Sequence, residues 1–540
     1  MFYSTDHSPI RRTMATPTAA AILLAAAATA ACTDTDTNGT TPATTPVAAY
    51  DSTYSEAYNL FIVSDDTTAY ETEAYNGPLT DADNTIAHQL GDYAADMLTE
   101  YDSQGYDNTV LSPVSASMLY GLMGNFVEQE SDNAFLDAMG MEQASTEEVN
   151  TFFRKFINKK GNTESQASGS QAAKSRLTFA SNLWMDTRTA VFNSFISKSR
   201  FYGFGVKGMD LTSPGAINAI NGSIASNLGG KGATLPAYLL QAKASTVITS
   251  TMNFEGKWLY PMSRDTTLTT FTNADGTHAS ATIIGTTQTR GYARFNSFDV
   301  VELKYKEDTY AMYVILPHST RGLTQCLNEL NKRGTTHVME AAATDTTRHR
   351  AVIYTQRDTT YYVFNDTMHP ADERETATIT VTDTLISDTV FDIRLPKFDV
   401  TTTTSLSPTG TNAATATKRM YQTNLPKVAP SGFHLTNVFQ TCRISIDENG
   451  TTAMSRDSLA VLENTTNDTY TGATPGGESF PIYIGYDKIE RNPVPRGRKT
   501  YETIHAPFTA TRPFALFIRD KEVGTIPFAS TIKNLRSAAE

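Results

Sequence analysis

The sequence predicts an α+β protein in which strands dominate the second half of the chain. Apolar residues near the start of the predicted globular region recur with helical spacing, whereas later segments alternate between apolar and polar residues. Hydrophobic residues make up 40% of the 540 residues, which is enough to form a sizeable buried core. No fixed-period repeat is visible, so a solenoid or a propeller is not expected.

The amino terminus is predicted to direct export. Arg11 and Arg12 precede an apolar run over residues 19–31, which suits a signal peptide of residues 1–31 and is too short to cross a bilayer as a helix. The stretch Thr29-Ala30-Ala31-Cys32 resembles a bacterial lipoprotein cleavage site, where a lipid would be attached to Cys32. A plain secretory signal with an incidental Cys32 thiol is the alternative. We therefore expect an exported protein that is lipid-anchored at a bacterial membrane or cell surface, or else secreted.

Residues 32–81 are predicted to form a flexible tether rich in Thr, Asp, Ala and Tyr, and residues 82–536 to form the globular domain. Residues 34–39 begin like a calcium-binding loop. The twelfth position of that loop is Thr45, however, where a bidentate Glu is needed. No metal site is therefore expected.

One long helix and several strands are predicted within the domain. The helix ends before Gly105, and its apolar stripe consists of Ile86, Leu90, Tyr93, Met97, Leu98 and Tyr101. Alternating segments predict strands at 177–185, 300–305, 310–316, 391–395, 514–518 and 523–528. The polar region 333–388 and the Thr-rich stretch 401–417 are predicted to be irregular insertions or surface decoration.

The sequence offers few signals for enzymatic chemistry. It contains no His-Glu-x-x-His zinc helix, no Gly-x-Ser-x-Gly nucleophile elbow and no Walker-type phosphate loop. Gly203, Gly205 and Gly208 match a dinucleotide fingerprint by letter, but a helical pattern precedes them and Pro214-Gly215 follows them. We interpret these glycines as turn residues, because phosphate binding needs a strand before them and a helix after them. No catalytic residue, cofactor or metal is expected.

Net charge and cysteine content narrow the range of partners. The chain has 44 Lys and Arg against 57 Asp and Glu, and the net charge of −13 disfavours nonspecific binding to nucleic acid or to an anionic lipid surface. Three cysteines are too few for a disulfide framework. Cys326, on a predicted helix, and Cys442, on a predicted strand, are interpreted as buried free thiols.

Several segments of the domain occur in a recognisable order. They are Asn108-Thr-Val-Leu-Ser112-Pro113-Val-Ser115, the strand 177–185, Ile220-Asn221 with Gly230-Lys231, Met252-Asn-Phe-Glu-Gly256-Lys257-Trp258, Val301-Glu-Leu-Lys-Tyr305, the strand 310–317, Leu395-Pro396-Lys397-Phe398, Ile446-Asp447-Glu448-Asn449-Gly450-Thr451, and Phe508-Thr-Ala-Thr-Arg-Pro513-Phe514. In this order they resemble the motifs of the serpins, a family of protease inhibitors. The resemblance covers most of residues 85–535.

The resemblance implies a serpin-like fold. Such a fold has a large central, mostly antiparallel β-sheet, further sheets, about eight to nine helices and an exposed reactive-centre loop. Here the loop would extend over residues 448–507, and an insertion would lie near 333–388. Trp258 would mark the point at which the loop meets the sheet.

A second region implied by the resemblance lies where the central sheet opens. It would contain Ser112, Ser115, Ser250 and Gln440. Ser250 and Gln440 replace an asparagine and a histidine of the family. Their side chains can still hydrogen-bond each other or the two serines, so the replacement is either compensated or a departure from inhibition.

The hinge of the reactive loop, residues 448–455, bears on the function. In inhibitory serpins the cut loop enters the central sheet as an added strand and carries the bound protease with it. The hinge residues implied by the resemblance are Glu448, Gly450, Thr451, Ala453 and Ser455. Small inward-facing side chains suit insertion, whereas Asp457 would also face inward and would oppose it.

The length of the loop leaves two possible positions for the scissile bond. Glu448 and Pro513 are 65 positions apart, more than twice the family span, and counting back from Pro513 ends near Glu502. Counting from the hinge ends at Asn464-Thr465. We prefer residues 462–465, because only a short segment is pulled taut when an inserted strand advances about 3.3 Å per residue. Sites of ordinary tryptic cleavage are expected at Arg491, Arg496 and Arg498.

The sequence therefore predicts a monomeric, non-enzymatic suicide inhibitor of a serine or cysteine endopeptidase. The target protease would form an acyl-enzyme at the loop and be trapped by loop insertion. The alternative is a non-inhibitory serpin whose loop serves as a binding surface or as sacrificial bait. The target protease is the expected partner, and contact with a membrane would occur through the lipid alone.

Overall fold

Nine helices and four β-sheets make up the part of the chain that the computed structural model describes. That part comprises residues 52–65, 77–161, 175–227, 246–344, 350–363, 375–406, 415–430, 433, 435, 438–452 and 496–536. The predicted α+β class is confirmed.

The first helix, α1 (Asp81–Ser103), begins with a capping box. The Thr80 hydroxyl accepts a hydrogen bond from the backbone amide of Asp83, and the Asp83 carboxylate accepts one from the backbone amide of Thr80. The predicted apolar stripe faces the core, which confirms this helix. The other helices are α2 (Pro113–Gly124), α3 (Ala134–Ala138), α4 (Thr146–Gly161), α5 (Asn193–Phe201), α6 (Ala216–Asn227), α7 (Leu323–Arg333), α8 (Thr335–Ala343) and α9 (Thr415–Gln422).

Twenty strands are present in the described residues. In chain order they are β1 (Ser52–Ser55), β2 (Leu60–Val63), β3 (Thr109–Leu111), β4 (Arg176–Asp186), β5 (Ala190–Phe192), β6 (Phe204–Met209), β7 (Thr246–Lys257), β8 (Ser263–Thr272), β9 (His278–Gln288), β10 (Tyr292–Arg294), β11 (Phe298–Lys304), β12 (Tyr310–Pro317), β13 (Arg350–Val363), β14 (Glu375–Pro396), β15 (Phe398–Ser405), β16 (Val438–Ile446), β17 (Gly450–Thr452), β18 (Lys499–Thr509), β19 (Phe514–Asp520) and β20 (Phe528–Ile532). The predicted strand 177–185 is β4.

The central sheet has six strands in the order β15-β16-β17-β7-β4-β6. The pairings are mostly antiparallel, as expected for a serpin-like fold. The exceptions are β4 with β6 and the far end of β16 with β7, which are parallel. Helix α2 lies between β7 of this sheet and β20 of the second sheet, so the core occupies the space between the two sheets.

The second sheet is antiparallel throughout, with the order β10-β11-β12-β19-β20-β3. The predicted hairpin of 300–305 and 310–316 is confirmed as β11 and β12. The predicted last strand, 523–528, is wrong because β20 begins only at Phe528. The Asp520 carboxylate accepts hydrogen bonds from the backbone amides of Glu522 and Val523, and Gly524 has a φ of +85°, so the preceding residues form a turn.

The third sheet corrects the prediction for residues 333–388. That region is not irregular, because it contains α8 and a long hairpin in which all 14 residues of β13 pair with β14. Its threonines obscured the strand signal: they count as polar in an alternation, yet their β-branched side chains favour strands. The sheet has the order β13-β14-β9-β8, and β18 pairs with β14 in parallel.

Two further stretches also form strands where irregular structure was predicted. Within the Thr-rich stretch 401–417, the first five residues belong to β15 and pair with β16 in the central sheet. Gly205 and Gly208 lie in β6 rather than in turns. Only Gly203 takes the turn role, with a φ of +74°.

The predicted tether includes an ordered hairpin. Strands β1 and β2 pair with each other, and β2 pairs in parallel with β5, so residues 52–63 belong to the globular domain. Leu60 is fully buried in the main core. The backbone amide of Gly208 donates to the carbonyl of Tyr58, at 2.7 Å, and fastens the hairpin to β6. A tether over 32–81 is therefore wrong for this part.

Both described cysteines are buried free thiols, as predicted for Cys326 and Cys442. Burial raises the pKa of each thiol above its ordinary value. Among the described residues, no helix is long and apolar enough to span a bilayer.

Candidate functional site: the hinge and the opening of the central sheet

The first residues of the hinge already form a strand inside the central sheet. In β17, Thr451 lies opposite Gly256 of β7 and opposite Ile446 of β16. Its side chain is 1% exposed, and its hydroxyl accepts a hydrogen bond from the Tyr305 hydroxyl at 2.7 Å. The hinge therefore holds β7 and β16 apart at one end of the sheet.

Two glycines allow this close approach. A Cβ atom at position 450 would lie 2.0 Å from the carbonyl oxygen of Gly256. A Cβ atom at position 256 would lie 2.6 Å from the Tyr305 ring. Neither position can accept a side chain without displacing the backbone or the aromatic ring.

Trp258 lies at the base of the loop. Its indole ring stacks on Tyr305, with the ring centroids 4.8 Å apart and the planes 9° from parallel. The indole Nε1 donates to the carbonyl of Asp447, and the backbone amide of Trp258 donates to the carbonyl of Asn449, both at 3.0 Å. Trp258 thus fixes the turn from which the hinge enters the sheet.

Glu448 anchors the other side of this turn. Its carbonyl accepts a hydrogen bond from the Met262 amide at 2.9 Å, and its carboxylate forms an ion pair with Lys397 at 3.0 Å. A hydrogen bond from its own backbone amide lowers the pKa of the Glu448 carboxyl, and the charges of Lys397 and Arg264 lower it further. The carboxylate is therefore ionised around neutral pH.

Below β17 the two flanking strands run side by side without pairing. Within the described residues, no hydrogen-bonded partner lies between residues 251–254 of β7 and residues 441–444 of β16. We call this interval the seam. Both strands are paired on their outer edges, with β4 and β15 respectively. A strand that continued β17 would run along these two inner edges.

The seam closes at Gln440 and Ser250, which face each other where β16 pairs directly with β7. The Gln440 amide makes two hydrogen bonds to the backbone of Ser112: its Oε1 accepts from the amide at 2.7 Å, and its Nε2 donates to the carbonyl at 2.8 Å. Ser112 caps α2 by accepting from the Ser115 amide. Gln440 therefore ties the closed end of the sheet to α2 through backbone atoms rather than through the serine hydroxyls.

Several residues singled out from the sequence lie outside the described residues, namely Cys32, Ala453, Ser455, Asp457, Asn464, Thr465 and Arg491. Arg496 is described and exposed. Arg498 is also exposed, but two hydrogen bonds hold its backbone: its amide donates to the Asp383 carboxylate and its carbonyl accepts from the Thr384 amide, both at 2.7 Å. A protease would have to break these bonds before it could cut there.

The loop was predicted to extend to residue 507, and this end is wrong. Residues 499–507 belong to β18, which pairs with β14, so the loop ends before Lys499. Glu502, reached by counting back from Pro513, lies within this strand opposite Ser387. Cleavage there would require the strand to leave the sheet. The position obtained by counting back from Pro513 is therefore excluded.

The sequence did not single out Tyr305, Lys397 and Asp447 as part of the site. Tyr305 and Lys397 belong to motifs that were recognised only as strands. Their contacts with the hinge depend on the pairing of distant strands, for which the local sequence carries no signal. Asp447 had a local signal, because its carboxylate accepts from the amides of Asn449 and Gly450 in an Asx turn.

A family model described as serpin, serine protease inhibitor, matches residues 88–354. The fold is similar to that of the Arabidopsis serpin AtSerpin1 in its native stressed conformation, with a TM-score of 0.57 and 15% identity over 84% of this chain and 99% of that one. The chain therefore has the serpin fold. Members of the family are mostly inhibitors rather than enzymes.

The fold is also similar to those of other solved serpins. Tengpin, a thermophilic serpin solved in its native state, has a TM-score of 0.56 at 14% identity, covering 85% of this chain and 96% of tengpin. Human thyroxine-binding globulin, a non-inhibitory serpin solved in complex with thyroxine, has a TM-score of 0.56 at 13% identity, covering 84% of this chain and all of that one.

One curated relative is the probable non-inhibitory serpin-Z9 of Oryza sativa subsp. japonica. It is 29% identical over 164 residues, which are 29% of this chain. The match spans 37% of the length of the rice protein.

Proposed function

We propose that this serpin inhibits serine or cysteine endopeptidases by inserting its cut reactive loop into the seam. The observation that supports this most directly is β17, whose buried Thr451 and closely packed Gly450 lie between β7 and β16. A chain entering at this point needs only to continue in the same direction. Successive added residues would gain backbone hydrogen bonds alternately to β7 and to β16.

The register of β17 determines which residues of β7 and β16 each later loop residue would face. Continuing the pairing one residue at a time, residues 453–456 would face residues 251–254 of β7 and 441–444 of β16, which fill the seam. Ala453 and Ser455 would share the inward face with Thr451. Four residues could therefore enter without breaking any described strand pairing.

The chemistry would be supplied by the protease. Its serine hydroxyl or cysteine thiol adds to a loop carbonyl, the peptide C–N bond breaks, and the new amine leaves, which gives an acyl-enzyme on the amino-terminal side of the cut. Insertion then draws the attached protease along the sheet. Distortion of its active site would stop the water attack that normally releases it.

We place the inhibitory cut at Asn464-Thr465. Thr451 and Asn464 are 13 positions apart, which as a strand would span roughly 43 Å, close to the length expected for the 12 residues of β7. A cut there would leave little slack between the protease and the sheet. A cut at Arg491 or Arg496 would leave a long slack segment and would be followed by release.

The test is a panel of serine and cysteine proteases incubated with the full chain and analysed on a denaturing gel. Inhibition by insertion predicts a covalent band heavier than either protein, with the new amino terminus at Thr465. Thr451→Arg should convert the protein into a substrate, because a guanidinium cannot be buried beside Tyr305 without a partner. Complete cleavage without a covalent band, for every protease in the panel, would overturn the proposal.

A second candidate function is a non-inhibitory binding or bait protein. Asp457 favours it, because the continued register places this residue opposite Ser250 and Gln440, where the seam is closed. The rice relative is also named as probably non-inhibitory. This candidate predicts loop cleavage with release of active protease and no covalent band.

We also propose that the serpin is exported and anchored through a lipid on Cys32. The support is the apolar run before Thr29-Ala30-Ala31-Cys32 in the sequence. Metabolic labelling with a fatty acid should mark the wild-type chain and not Cys32→Ser. Equal labelling of both chains, or labelling of neither, would contradict the lipid anchor.

A further inference from the structure

Two adjoining cavities beside the hinge bring positive charges together. The first has a volume of about 860 Å³ and lies between β9, β15 and the carboxyl terminus, and the second, of about 640 Å³, lies between β8, β9 and β14. Arg264 lines both. Lys397 and Arg536 line the first cavity, while Arg394 and Asp392 line the second. In a chain of net charge −13, this concentration of cations calls for a negative partner.

The first cavity is lined by three cationic side chains and by only two carboxylates, those of Asp107 and Asp399. Asp399 is paired with Arg443, which does not line the cavity, and Asp107 accepts a hydrogen bond from the side-chain amide of Asn534. Within the part of the chain that the structure describes, neither Arg264 nor Arg536 makes an ion pair. One carboxylate, that of Glu448, faces both Lys397 and Arg264 from the hinge.

The remaining lining defines the chemistry of a ligand. Apolar surface comes from Phe398, Val400 and Leu535, and hydroxyls come from Thr282 and Thr401. A volume of this size accommodates a small organic molecule. Glu448 shows that a carboxylate fits between Lys397 and its neighbours at a hydrogen-bonding distance of 3.0 Å.

We infer that the first cavity, with Arg264 at its junction with the second, binds a small organic anion whose apolar body rests on Phe398 and Val400. Its carboxylate, phosphate or sulfonate group lies against Arg264 and Lys397. Because Glu448 contacts the same lysine, the bound anion competes with Glu448 and loosens the base of the hinge. The effect of the anion on the hinge rests on the proposed function, whereas binding of the anion does not.

Anilinonaphthalene sulfonate is a suitable probe, because it joins a sulfonate to an apolar body and fluoresces when bound. Titration of the full chain should show one saturable site. Arg264→Gln should weaken binding at least about tenfold, since a charge-assisted hydrogen bond is lost. Arg290→Gln is the matched control: Arg290 is exposed just beyond β9 and lines neither cavity, so affinity should stay unchanged. Equal weakening in both variants, or no saturable binding, would overturn the site.

Glu448→Gln tests the competition with the hinge. Removing the competing carboxylate should tighten probe binding about threefold or more, the opposite of the effect of Arg264→Gln. Melting curves of the variants ensure that the change does not come from unfolding.

The probe should also change the rate at which a protease cuts the loop of the wild type. Probe binding without any change in loop cleavage would overturn the coupling and leave the site intact. Failure of covalent trapping would overturn the proposed function without affecting the binding result.

Discussion

Position 450 accepts only glycine if the hinge is to stay in the sheet. In Gly450→Ala, the new Cβ atom would collide with the Gly256 carbonyl oxygen, 2.0 Å away. We expect β17 to leave the sheet and the protein to lose about 1–3 kcal/mol of stability, as for other overpacked sites. The measurement is Trp258 fluorescence in a Trp184→Phe background, together with denaturant unfolding.

Gly215→Ala is the control for this prediction. No heavy atom lies within 4 Å of a Cβ atom at position 215, so emission and stability should match those of the parent. In Gly450→Ala, the emission should shift to longer wavelength, because the indole loses its stacking on Tyr305 and its bond to Asp447. An unshifted emission in Gly450→Ala would contradict the packing of the hinge described above.

Asp457 is predicted to set the depth of insertion. In the continued register it would be the first residue to displace the pairing of Ser250 with Gln440, and its carboxylate would be buried on the inward face. Asp457→Ala should therefore increase the fraction of protease trapped in covalent complex by about tenfold or more. Gel densitometry at fixed protease concentration measures this fraction.

Arg456→Ala serves as the control for Asp457→Ala, because Arg456 would point to the opposite face of the sheet. Its effect on trapping should be small. Equal trapping by Asp457→Ala and the wild type would show that the carboxylate does not limit insertion.

Lys198 gives the domain a predictable response to pH. Burial lowers the pKa of its amine to about 8, against the opposing effect of Glu147. The unfolded chain therefore binds more protons than the native one between pH 8 and the ordinary lysine pKa near 10.5, so this group makes the native state more stable as pH rises through that interval. Below pH 8, its charge disfavours the native state by a constant amount.

Lys198→Met should remove this dependence. The measurement is the melting temperature of the wild type minus that of Lys198→Met. This difference should increase by at least about 2 °C between pH 7 and pH 10. The exposed Lys207, changed to Met, should show no such trend. A pH-independent difference between the wild type and Lys198→Met would contradict the lowered pKa of Lys198.

At the level of elements, the amino-terminal hairpin of β1 and β2 is an integral part of the domain. Leu60 is fully buried, whereas its neighbour Phe61 is 41% exposed. Leu60→Ala should cost about 2–5 kcal/mol locally and release the hairpin from β5 and β6. Phe61→Ala should have little effect. Hydrogen exchange of residues 52–63 should accelerate only in the first variant, and equal rates in both would contradict docking of the hairpin.

The elements differ in how far the sequence predicted them. Helix α1 and the β11–β12 hairpin were predicted well, since their apolar residues follow a clear helical or alternating period. The β13–β14 hairpin and β15 were missed because threonine reads as polar while favouring strands. The β1–β2 hairpin was missed because four-residue strands carry too little pattern.

The sequence predicted those parts of the site that have a local motif. The hinge segment could be read from its own motif, and Trp258 from the strand that precedes it. The Lys397 and Tyr305 contacts, and the backbone bonds of Gln440 to Ser112, arise only when distant strands and α2 assemble. Such contacts depend on register and packing between elements far apart in the chain, which no local pattern reports.

Across the whole molecule, the central sheet is divided into three zones along β7 and β16. The hinge occupies one end, the seam lies in the middle, and Gln440 closes the other end against α2. Complete insertion would fill the seam and then extend the sheet past Gln440. The added strand would bring backbone hydrogen bonds along both of its edges, so the cut form should be the more stable one.

The melting temperature of the full chain before and after a single cut in the loop tests this account most directly. After cleavage between Asn464 and Thr465, we predict a rise of more than about 10 °C, since many new strand pairings form at once. Cleavage at Arg496 should also raise it if the same residues insert. An unchanged melting temperature after verified cleavage at Asn464-Thr465 would contradict loop insertion and leave a binding or bait role for this protein.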